Sequence, residues 1–288
     1  MTKILEEESK AILLLGDIGV YGFSPARSKF PSRVLNVGVL EQTMVGVAAG
    51  LSIQGMIPTM HTISPFVVER AFEQIKLDLV YQRQNCNIVT VGGSFDYALL
   101  GATHHCPEDV SVLLSLDEIT IYCPANGYRF SDIFETNYQV KGIKYFRLSE
   151  SESSHHTIKE VQEYVTEISN CDNTPEAIVF SFGHMGSEVA KSLKGLNVRA
   201  FNSEKVWPFD PTIFSHIPKN KKILVVEPWQ EASSSPIFQK MIEDGWRIKF
   251  LGYPRGINRT HLSLNDYNEH VGLTAHTIRE KVLDLVHG

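Results

Sequence analysis

Glu41 is the residue whose surroundings point most directly to chemistry. A short apolar run at residues 33–37 predicts a strand, Gly38 allows a turn, and apolar side chains then recur at helical spacing to residue 51. Glu41 therefore falls in the first turn of a helix, just beyond the carboxyl end of a strand, where open α/β sheets bind their ligands. The simpler alternative is a solvent-facing glutamate that complements the helix dipole by about 0.3–1 kcal/mol.

The helix that begins near Glu41 is predicted to bury one face. Gly46 and Gly50 keep it slim, so that a neighbouring backbone or a flat ligand can come close. The spacing assigns the buried face to Leu40, Met44, Val47, Ala48 and Leu51.

A second group of candidates lies in the loop that contains Gly101, His104, His105 and Cys106. An imidazole in such a loop suits proton transfer or ligand binding. Zinc is an alternative, but adjacent residues do not easily direct their side chains at one ion, and no fourth ligand stands at a suitable spacing. The sequence therefore predicts no metal site.

The helix predicted for residues 66–80 adds two aromatic rings and an arginine. Pro65 stands in its first turn, as is common at helix starts. Phe66 and Phe72 are six residues apart, which is not a same-face spacing, so Phe66 would act from the helix start and Phe72 from its side. Their alternative role is core packing, and the alternative for Arg70 is a solvated helix face.

Strands alternate with helices along nearly the whole chain, which predicts parallel sheets covered on both faces. A polar stretch and a moderately amphipathic helix at residues 151–174 predict a linker. The expected fold is α/β, with two domains at residues 1–150 and 175–288 that both have mainly parallel sheets. Strands are predicted at residues 11–15, 56–61, 87–91, 119–124, 144–148, 177–182, 198–201, 222–226 and 247–250.

Two glycines that follow a predicted strand, Gly183 and Gly186, raise the possibility of a dinucleotide site, with Glu204 at a suitable distance. The third glycine of that fingerprint is missing, and the fragment alone is weak. The sequence therefore does not favour NAD binding.

Composition excludes several classes of protein. The 288 residues carry a formal net charge of −6 and lack a cluster of basic residues, which argues against nucleic-acid binding. No apolar run approaches the roughly 18 residues that a membrane span needs, and the acidic start lacks a signal core. The four cysteines show no CxxC spacing, which favours reduced thiols and a cytoplasmic protein.

Two stretches together carry a family resemblance. Residues 35–51 contain Asn-x-Gly-x-x-Glu-Gln, then small residues that end in Ala-Gly-Leu, and residues 101–104 read Gly-Ala-Thr-His. In both, the chain resembles the transketolase family of thiamine diphosphate enzymes, and the resemblance extends over nearly the entire chain. It implies a transketolase-like pyrimidine-binding domain followed by the family's C-terminal domain.

The resemblance also implies roles for the candidate side chains. Glu41 matches the family's catalytic glutamate, which shares a proton with a ring nitrogen of the cofactor's aminopyrimidine and therefore needs a buried setting. His104 matches a catalytic histidine beside the thiazolium ring that also contacts substrate. The other assignments are cofactor binding by Phe66, Phe72 and Asp17, and substrate binding by Arg70 and His61.

The chain departs from sugar-phosphate transketolases at two places. Those enzymes carry an acidic residue before the glycine of the histidine turn, whereas this chain has Leu99 and Leu100. Gly92 and Gly93 replace a histidine of those enzymes. The donor and acceptor sugars therefore stay open, and an altered sugar is one expectation.

The resemblance covers only the last two of three family domains. The Gly-Asp-Gly motif that holds Mg²⁺ and the cofactor diphosphate in the family does not occur in this sequence. We therefore expect a split enzyme, in which a separate N-terminal subunit carries that motif and holds Mg²⁺, and the two chains form an α2β2 heterotetramer that binds thiamine diphosphate between its chains.

The expected function is transfer of a two-carbon ketol unit between sugars, by this chain only together with its partner. Three alternatives stay open. They are the beta subunit of a 2-oxo acid dehydrogenase E1 component, a deoxyxylulose phosphate synthase fragment, and a non-catalytic partner-binding protein that keeps the fold. The Thr103-His104 turn favours transketolase over the dehydrogenase subunit.

Overall fold

The computed structural model describes residues 1–116, 118–151, 158–169, 171–172 and 174–287. Strands and helices alternate within this part of the chain and build one sheet of seven strands and one of six. The predicted α/β fold with mainly parallel sheets is confirmed. The strands are β1 (Ala11–Leu15), β2 (Val34–Asn36), β3 (Ile57–Ile63), β4 (Cys86–Val91), β5 (Ile119–Tyr122), β6 (Ile143–Arg147), β7 (Lys159–Gln162), β8 (Val165–Glu167), β9 (Ala177–Phe182), β10 (Val198–Ser203), β11 (Lys205–Trp207), β12 (Lys222–Gln230) and β13 (Arg247–Tyr253). The α-helices are α1 (Thr2–Glu7), α2 (Ser24–Lys29), α3 (Glu41–Ile53), α4 (Ser64–Val68), α5 (Phe72–Gln74), α6 (Asp109–Leu113), α7 (Gly127–Asn137), α8 (Met185–Ser192), α9 (Ser235–Glu243), α10 (Leu264–Val271) and α11 (Ala275–His287).

The first sheet has the strand order β11-β5-β6-β4-β3-β1-β2, and all of its pairs are parallel except β11 with β5. All five residues of β1 are buried, as the continuous apolar run predicts. The chain leaves β1 for β2 on one side and returns to β3 on the other. This reversal makes a topological switch point at the carboxyl ends of β1 and β3, the usual place for a ligand in an open α/β sheet.

The second sheet has the order β13-β12-β9-β10-β8-β7. Strands β9, β10, β12 and β13 are parallel, and the β7–β8 hairpin joins the edge antiparallel to β10. The amphipathic helix predicted within the linker at residues 151–174 is therefore wrong where the structure describes that segment. Val161, Tyr164, Val165 and Thr166 favour a strand, and pairing with β10 decides for it. Residues 152–157 lie outside the described residues.

Strand β11 comes from the part of the chain beyond the predicted linker, yet it extends the first sheet. Lys205 pairs antiparallel with Tyr122, and Trp207 with Ile121. This three-residue strand and helix α10 are elements that the sequence patterns missed. The division at residues 1–150, 151–174 and 175–288 stays a prediction, and β11 crosses it, because it lies after residue 175 but belongs to the first sheet.

The long helix predicted for residues 66–80 is broken in the structure. It consists of α4, the single turn α5 and a π-helix at Ile75–Tyr81. Glu69 N and Arg70 N both donate to the carbonyl oxygen of Pro65, at 3.1 and 3.3 Å, and Ala71 leaves the helical region with φ −111° and ψ 18°. The break lets Phe66 and Arg70 face the carboxyl ends of the strands.

The predicted buried face of α3 is correct only in part. Met44 and Ala48 are buried against the sheet, whereas Leu40 and Val47 are exposed. The helix packs on β3 with a face that includes Glu41, and Leu40 and Val47 lie outside that buried face.

Candidate active site

Five of the predicted site residues gather at the switch point of the first sheet. β1 ends directly before Gly16, His61 lies two residues before the end of β3, and α3 begins with Glu41. Gly16 N donates to the carbonyl oxygen of His61 at 2.9 Å, which draws the two strand ends together. A Cβ at Gly16 would lie 2.7 Å from Thr62 Oγ1 and 3.3 Å from Glu41 Oε1, so only glycine fits there.

The Glu41 carboxyl group is fully buried and has two protein partners. Thr62 Oγ1 donates to its Oε1 at 2.9 Å, and Arg70 Nη1 donates to its Oε2 at 2.6 Å. A buried carboxylate is costly unless such donors satisfy it. The alternative of a solvent-facing glutamate is therefore wrong. Sequence reasoning missed Thr62, whose only signal was its place at the end of β3.

Phe66 is the centre of a small group of planar side chains. Arg70 Cζ stands 4.4 Å from the centroid of the Phe66 ring, and the His104 ring meets the same ring edge-on at 5.2 Å. Arg70 thus contacts two site residues although 42% of its side chain is exposed, and its role in substrate binding stays a prediction. The structure brings Glu41, Phe66, Arg70 and His104 into one continuous set of contacts.

His104 lies in a short 3-10 turn, Ala102–His104, that follows Gly101 at φ +81°. Thr103 Oγ1 is 3.0 Å from His104 Nδ1, and the Tyr97 ring stands 6.3 Å away, nearly perpendicular. The imidazole is half-buried. It can therefore reach a ligand held against Phe66 while it stays accessible from solvent.

His61 precedes Thr62 near the end of β3. Its Nδ1 donates to the carbonyl oxygen of Val89 at 3.1 Å, and Phe23 meets its ring edge-on at 6.1 Å. Burial lowers the pKa of His61, and this outweighs the effect of the Val89 bond. The imidazole is therefore neutral at pH 7, with Nε2 as an acceptor.

Asp17 and Phe72 lie further from the group around Phe66. Asp17, at φ +60°, receives a bond from Asn36 Nδ2 at 3.0 Å and donates its N–H to Asn36 Oδ1 at 3.0 Å. Asn36 also accepts from Gly38 N at 3.3 Å, so the Asn-x-Gly pattern joins the turns after β1 and β2. Phe72 is half-buried against the hydrophobic core. The cofactor roles of both residues stay predictions.

A buried polar network lies behind this site. The Arg147 and Asp109 side chains are 1% and 0% exposed and are paired at 2.8 Å. Asp109 Oδ2 also accepts from Ser64 Oγ and from Tyr145 OH, at 3.2 and 3.0 Å. Ser64 opens the helix that carries Phe66, and Asp109 follows the His104 turn, so one carboxylate ties both elements to the sheet.

The network continues into the second sheet. Arg147 Nη2 and Ser94 Oγ both donate to the carbonyl oxygen of Pro228, at 3.2 and 2.6 Å. Gln230 N donates to the carbonyl oxygen of Pro107 at 2.7 Å. The end of β12 therefore holds the loop that carries His104 at two points.

The positions that depart from sugar-phosphate transketolases lie between β4 and the His104 turn. A Cβ at Gly92 would lie 2.5 Å from the Tyr97 ring, and one at Gly93 would lie 2.6 Å from Arg147 Cζ. Tyr97 and Arg147 thus fill the space that side chains at these positions would need. Leu99 and Leu100 are exposed beside the His104 turn and form an apolar rim.

The two weaker motifs have structural explanations. His105 Nε2 donates to the carbonyl oxygen of Ala98, and Cys106 pairs through its backbone with Ser94, so neither side chain joins His104. Gly183 packs against Cys123, and Glu204 accepts from Ala125 N and from Arg129. Among the described residues no helix is long and apolar enough to cross a membrane.

Residues 1–154 match the sequence family described as "Transketolase, pyrimidine binding domain". The chain belongs to the transketolase family. The matched residues include every side chain of the group around Phe66, and they form the seven-stranded sheet apart from β11.

Individual relatives agree with the family assignment. The chain is 28% identical over 292 residues, covering 98% of this chain and 91% of the relative, to an uncharacterized 33.6 kDa protein in the fasciation locus of Rhodococcoides fascians. It is 33% identical over 129 residues to one of the subunits of the apulose-4-phosphate transketolase of Actinobacillus succinogenes, covering 45% of this chain and 42% of that relative. The alignment with that named transketolase chain therefore spans less than half of either protein.

Solved transketolase structures share the fold. A split-gene transketolase, described as an inactive beta4 tetramer, superposes with a TM-score of 0.79 at 21% identity over 99% of this chain and 94% of the other. Transketolase from Campylobacter jejuni gives 0.79 at 14% identity over 98% of this chain but 45% of its own. The first comparison matches two proteins of similar extent, and the second matches this chain to less than half of a longer one.

Proposed function

We propose that this chain is the C-terminal subunit of a heteromeric, thiamine diphosphate-dependent transketolase-like enzyme. The observation that carries the proposal is the buried Glu41 carboxyl group at the switch point of the first sheet. Arg70 joins it to Phe66, and the Phe66 ring meets His104. In this account the enzyme moves a two-carbon ketol unit between sugars or sugar derivatives. The relatives that are named as subunits of apulose-4-phosphate transketolases favour this function over the dehydrogenase alternative.

The residues present fit the aminopyrimidine half of the cofactor. Glu41 offers a buried carboxyl group and Phe66 an aromatic ring, the two groups that an aminopyrimidine needs, and the planar Arg70 guanidinium already contacts both. Phe72 and Asp17 are further cofactor-binding candidates. When bound, thiamine diphosphate supplies the nucleophilic carbon for ketol transfer. In this proposal the partner subunit binds Mg²⁺ and the diphosphate through its Gly-Asp-Gly motif.

Each side chain then has a defined task. Glu41 would share a proton with a ring nitrogen of the bound aminopyrimidine, and Thr62 would keep the carboxyl group oriented through its bond to Oε1. His104 and neutral His61 can each hold or accept a proton near the substrate's oxygen atoms. Arg70 and the apolar rim at Leu99 and Leu100 contact substrate in this account.

The assembly that the proposal requires is an α2β2 heterotetramer in the cytoplasm, with the chain inactive by itself. One solved relative is described as an inactive tetramer of beta chains, which supports by analogy the proposal that this chain is inactive by itself. The apulose-4-phosphate relatives support sugars other than the common ketose phosphates as substrates.

Glu41→Gln tests the proposal in the reconstituted complex. The amide keeps the shape of the side chain but cannot share the proton, so ketol transfer from a panel of ketose donors should fall by at least about 100-fold. The matched control is Glu118→Gln, an exposed carboxylate in the same sheet domain, which should retain activity. Full activity of Glu41→Gln would contradict the proposal.

A further inference from the structure

Arg70 contacts both side chains that the proposed function assigns to the pyrimidine ring. Its Nη1 donates to Glu41 Oε2 at 2.6 Å, and its Cζ stands 4.4 Å over the Phe66 ring. An aminopyrimidine in the same place needs the same two contacts, an N–H donated to or shared with the carboxyl group and a face against the aromatic ring. A guanidinium is planar, donates in its own plane and stacks on aromatic faces, so it meets both demands.

We infer that Arg70 is an internal occupant of the pyrimidine subsite, and that cofactor binding requires its guanidinium to turn away from Glu41 and Phe66. The inference rests on the proposed function and adds a residue that competes with the cofactor. No covalent step is involved. The exchange replaces one donor to Glu41 Oε2 by another and one planar group on Phe66 by another.

Hydrogen bonds fix the backbone around Arg70, whereas its side chain is partly exposed. Gln42 Nε2 donates to the carbonyl oxygen of Arg70 at 3.2 Å, and Arg70 N donates to the carbonyl oxygen of Pro65 at 3.3 Å. The guanidinium end is different, because 42% of the side chain is exposed. A rotation about the side-chain bonds can therefore carry the guanidinium into solvent without disturbing α3 or α4.

Glu41 stays in place during such an exchange. Its carboxyl group is fully buried and keeps the bond from Thr62 Oγ1. A buried carboxylate without a second donor is unfavourable, so the bond from Arg70 to Glu41 is favoured until another donor replaces it. Release of Arg70 and arrival of the pyrimidine are therefore coupled, and the open state is a minority of the free protein.

This competition lowers the apparent affinity of the site by the fraction of molecules that is open. Removal of the guanidinium should therefore strengthen binding, whereas a residue that helps to hold the cofactor would weaken binding when it is removed. The two roles predict opposite changes in the affinity for the cofactor when the guanidinium is removed, so a binding measurement distinguishes them.

The test uses the complex of this chain with its partner subunit and two calorimetric probes. One probe is thiamine diphosphate with Mg²⁺, and the other is 4-amino-5-(hydroxymethyl)-2-methylpyrimidine, which lacks the diphosphate and reports on the pyrimidine subsite alone. Arg70→Ala should bind both probes about tenfold more tightly than the unaltered complex. Arg70→Gln keeps a donor for Glu41 without the cationic stacking group. Its affinity for both probes should lie between those of the unaltered complex and of Arg70→Ala.

The control is Arg83→Ala, which removes an arginine that is 81% exposed and paired with Glu118 at 3.5 Å. It should leave both affinities unchanged. Equal or weaker binding by both Arg70→Ala and Arg70→Gln, with thermal unfolding that shows them folded, would overturn the inference but leave the proposed function standing. Failure of the unaltered complex and of both variants to bind thiamine diphosphate would overturn the proposed function, and this inference with it.

Discussion

Gly16 sets how closely β1 approaches the carboxyl group of Glu41. We expect Gly16→Ala to destabilise the chain by about 1–3 kcal/mol, because its Cβ would meet Thr62 Oγ1 at 2.7 Å and Glu41 Oε1 at 3.3 Å in a packed site. The displaced carboxyl group should also weaken cofactor binding by the complex. Urea unfolding of the chain measures the first effect and calorimetry the second.

Gly50→Ala is the matched control for Gly16→Ala. Gly50 stands inside α3, and apart from its chain neighbours and the helix backbone no described heavy atom lies within 4 Å of a Cβ placed there. Alanine favours a helix interior over glycine by about 0.5–1 kcal/mol, so this variant should be slightly more stable. A Gly16→Ala protein as stable as Gly50→Ala would show that the close approach at Gly16 does not constrain the site.

Glu69, beside Arg70, should make the stability of the folded chain depend on pH. Burial, and after it the neighbouring Glu108 carboxylate, raises the pKa of Glu69 to about 7. A carboxyl group with a raised folded-state pKa binds more protons folded than unfolded between about pH 4.5 and 7. Its stabilising contribution is therefore complete below pH 4.5 and is lost as pH rises towards 7.

Glu108→Gln isolates this contribution, because it removes a like charge and should lower the pKa of Glu69. We expect the free energy of unfolding of this variant, relative to the unaltered chain, to rise between pH 5 and pH 8. Urea unfolding at one-unit steps measures the difference, with Glu118→Gln as an exposed carboxylate control. A constant difference across this range would refute the account of Glu69.

For single residues, the sequence predicted which positions belong to the site better than it predicted the residues that they contact. Glu41 could be found because a strand, a glycine turn and a helix start are local patterns. Thr62, Gln42 and Tyr97 were missed, because a linear pattern does not show which side chain or carbonyl group each of them contacts in the folded chain.

Among the elements, the helix that begins at Ser64 and the loop that carries His104 depend on the buried pair of Arg147 and Asp109. Arg147→Met would leave the Asp109 carboxylate buried without its cation, at a cost of about 3–5 kcal/mol. Arg147→Met with Asp109→Leu should recover a large part of this loss, since no buried charge remains. Ser64 and Tyr145 can still bond to each other at 2.7 Å.

A double-mutant cycle by chemical denaturation measures this coupling. Arg279→Met serves as a control, because that arginine donates to the carbonyl oxygens of Ser192 and Lys194 near the end of α8 rather than to a buried carboxylate. A cost below about 1 kcal/mol for Arg147→Met would mean that the pair does not hold these elements.

Element types were predictable wherever a segment had one dominant pattern. The continuous apolar runs of β1 and β9 match their predicted strands residue for residue. The segment after Ser64 has the apolar stripe of one long helix, but the Pro65 carbonyl takes two donors and Gln42 binds the freed carbonyl of Arg70. The β7–β8 hairpin was misjudged because tertiary pairing, which sequence periodicity does not contain, decided it.

In the molecule as a whole, the second sheet supports the site without contributing a side chain to the group around Phe66. The carbonyl oxygen of Pro228 receives Arg147 and Ser94, and Gln230 bonds to Pro107. Strand β11 adds an edge to the first sheet. We therefore propose that residues 1–150 and 175–288 are two domains in topology but fold as one cooperative unit.

Binding of thiamine diphosphate tests the central claim most directly. Calorimetry with Mg²⁺ should show no binding to this chain alone and clear binding when a separate subunit with a Gly-Asp-Gly motif is added, because each of the two chains then supplies half of the site. Binding in the mixture that disappears with a Gly-Asp-Gly variant of the partner would support the split enzyme. Tight binding to this chain alone, or none in a mixture that forms a stable complex, would contradict it.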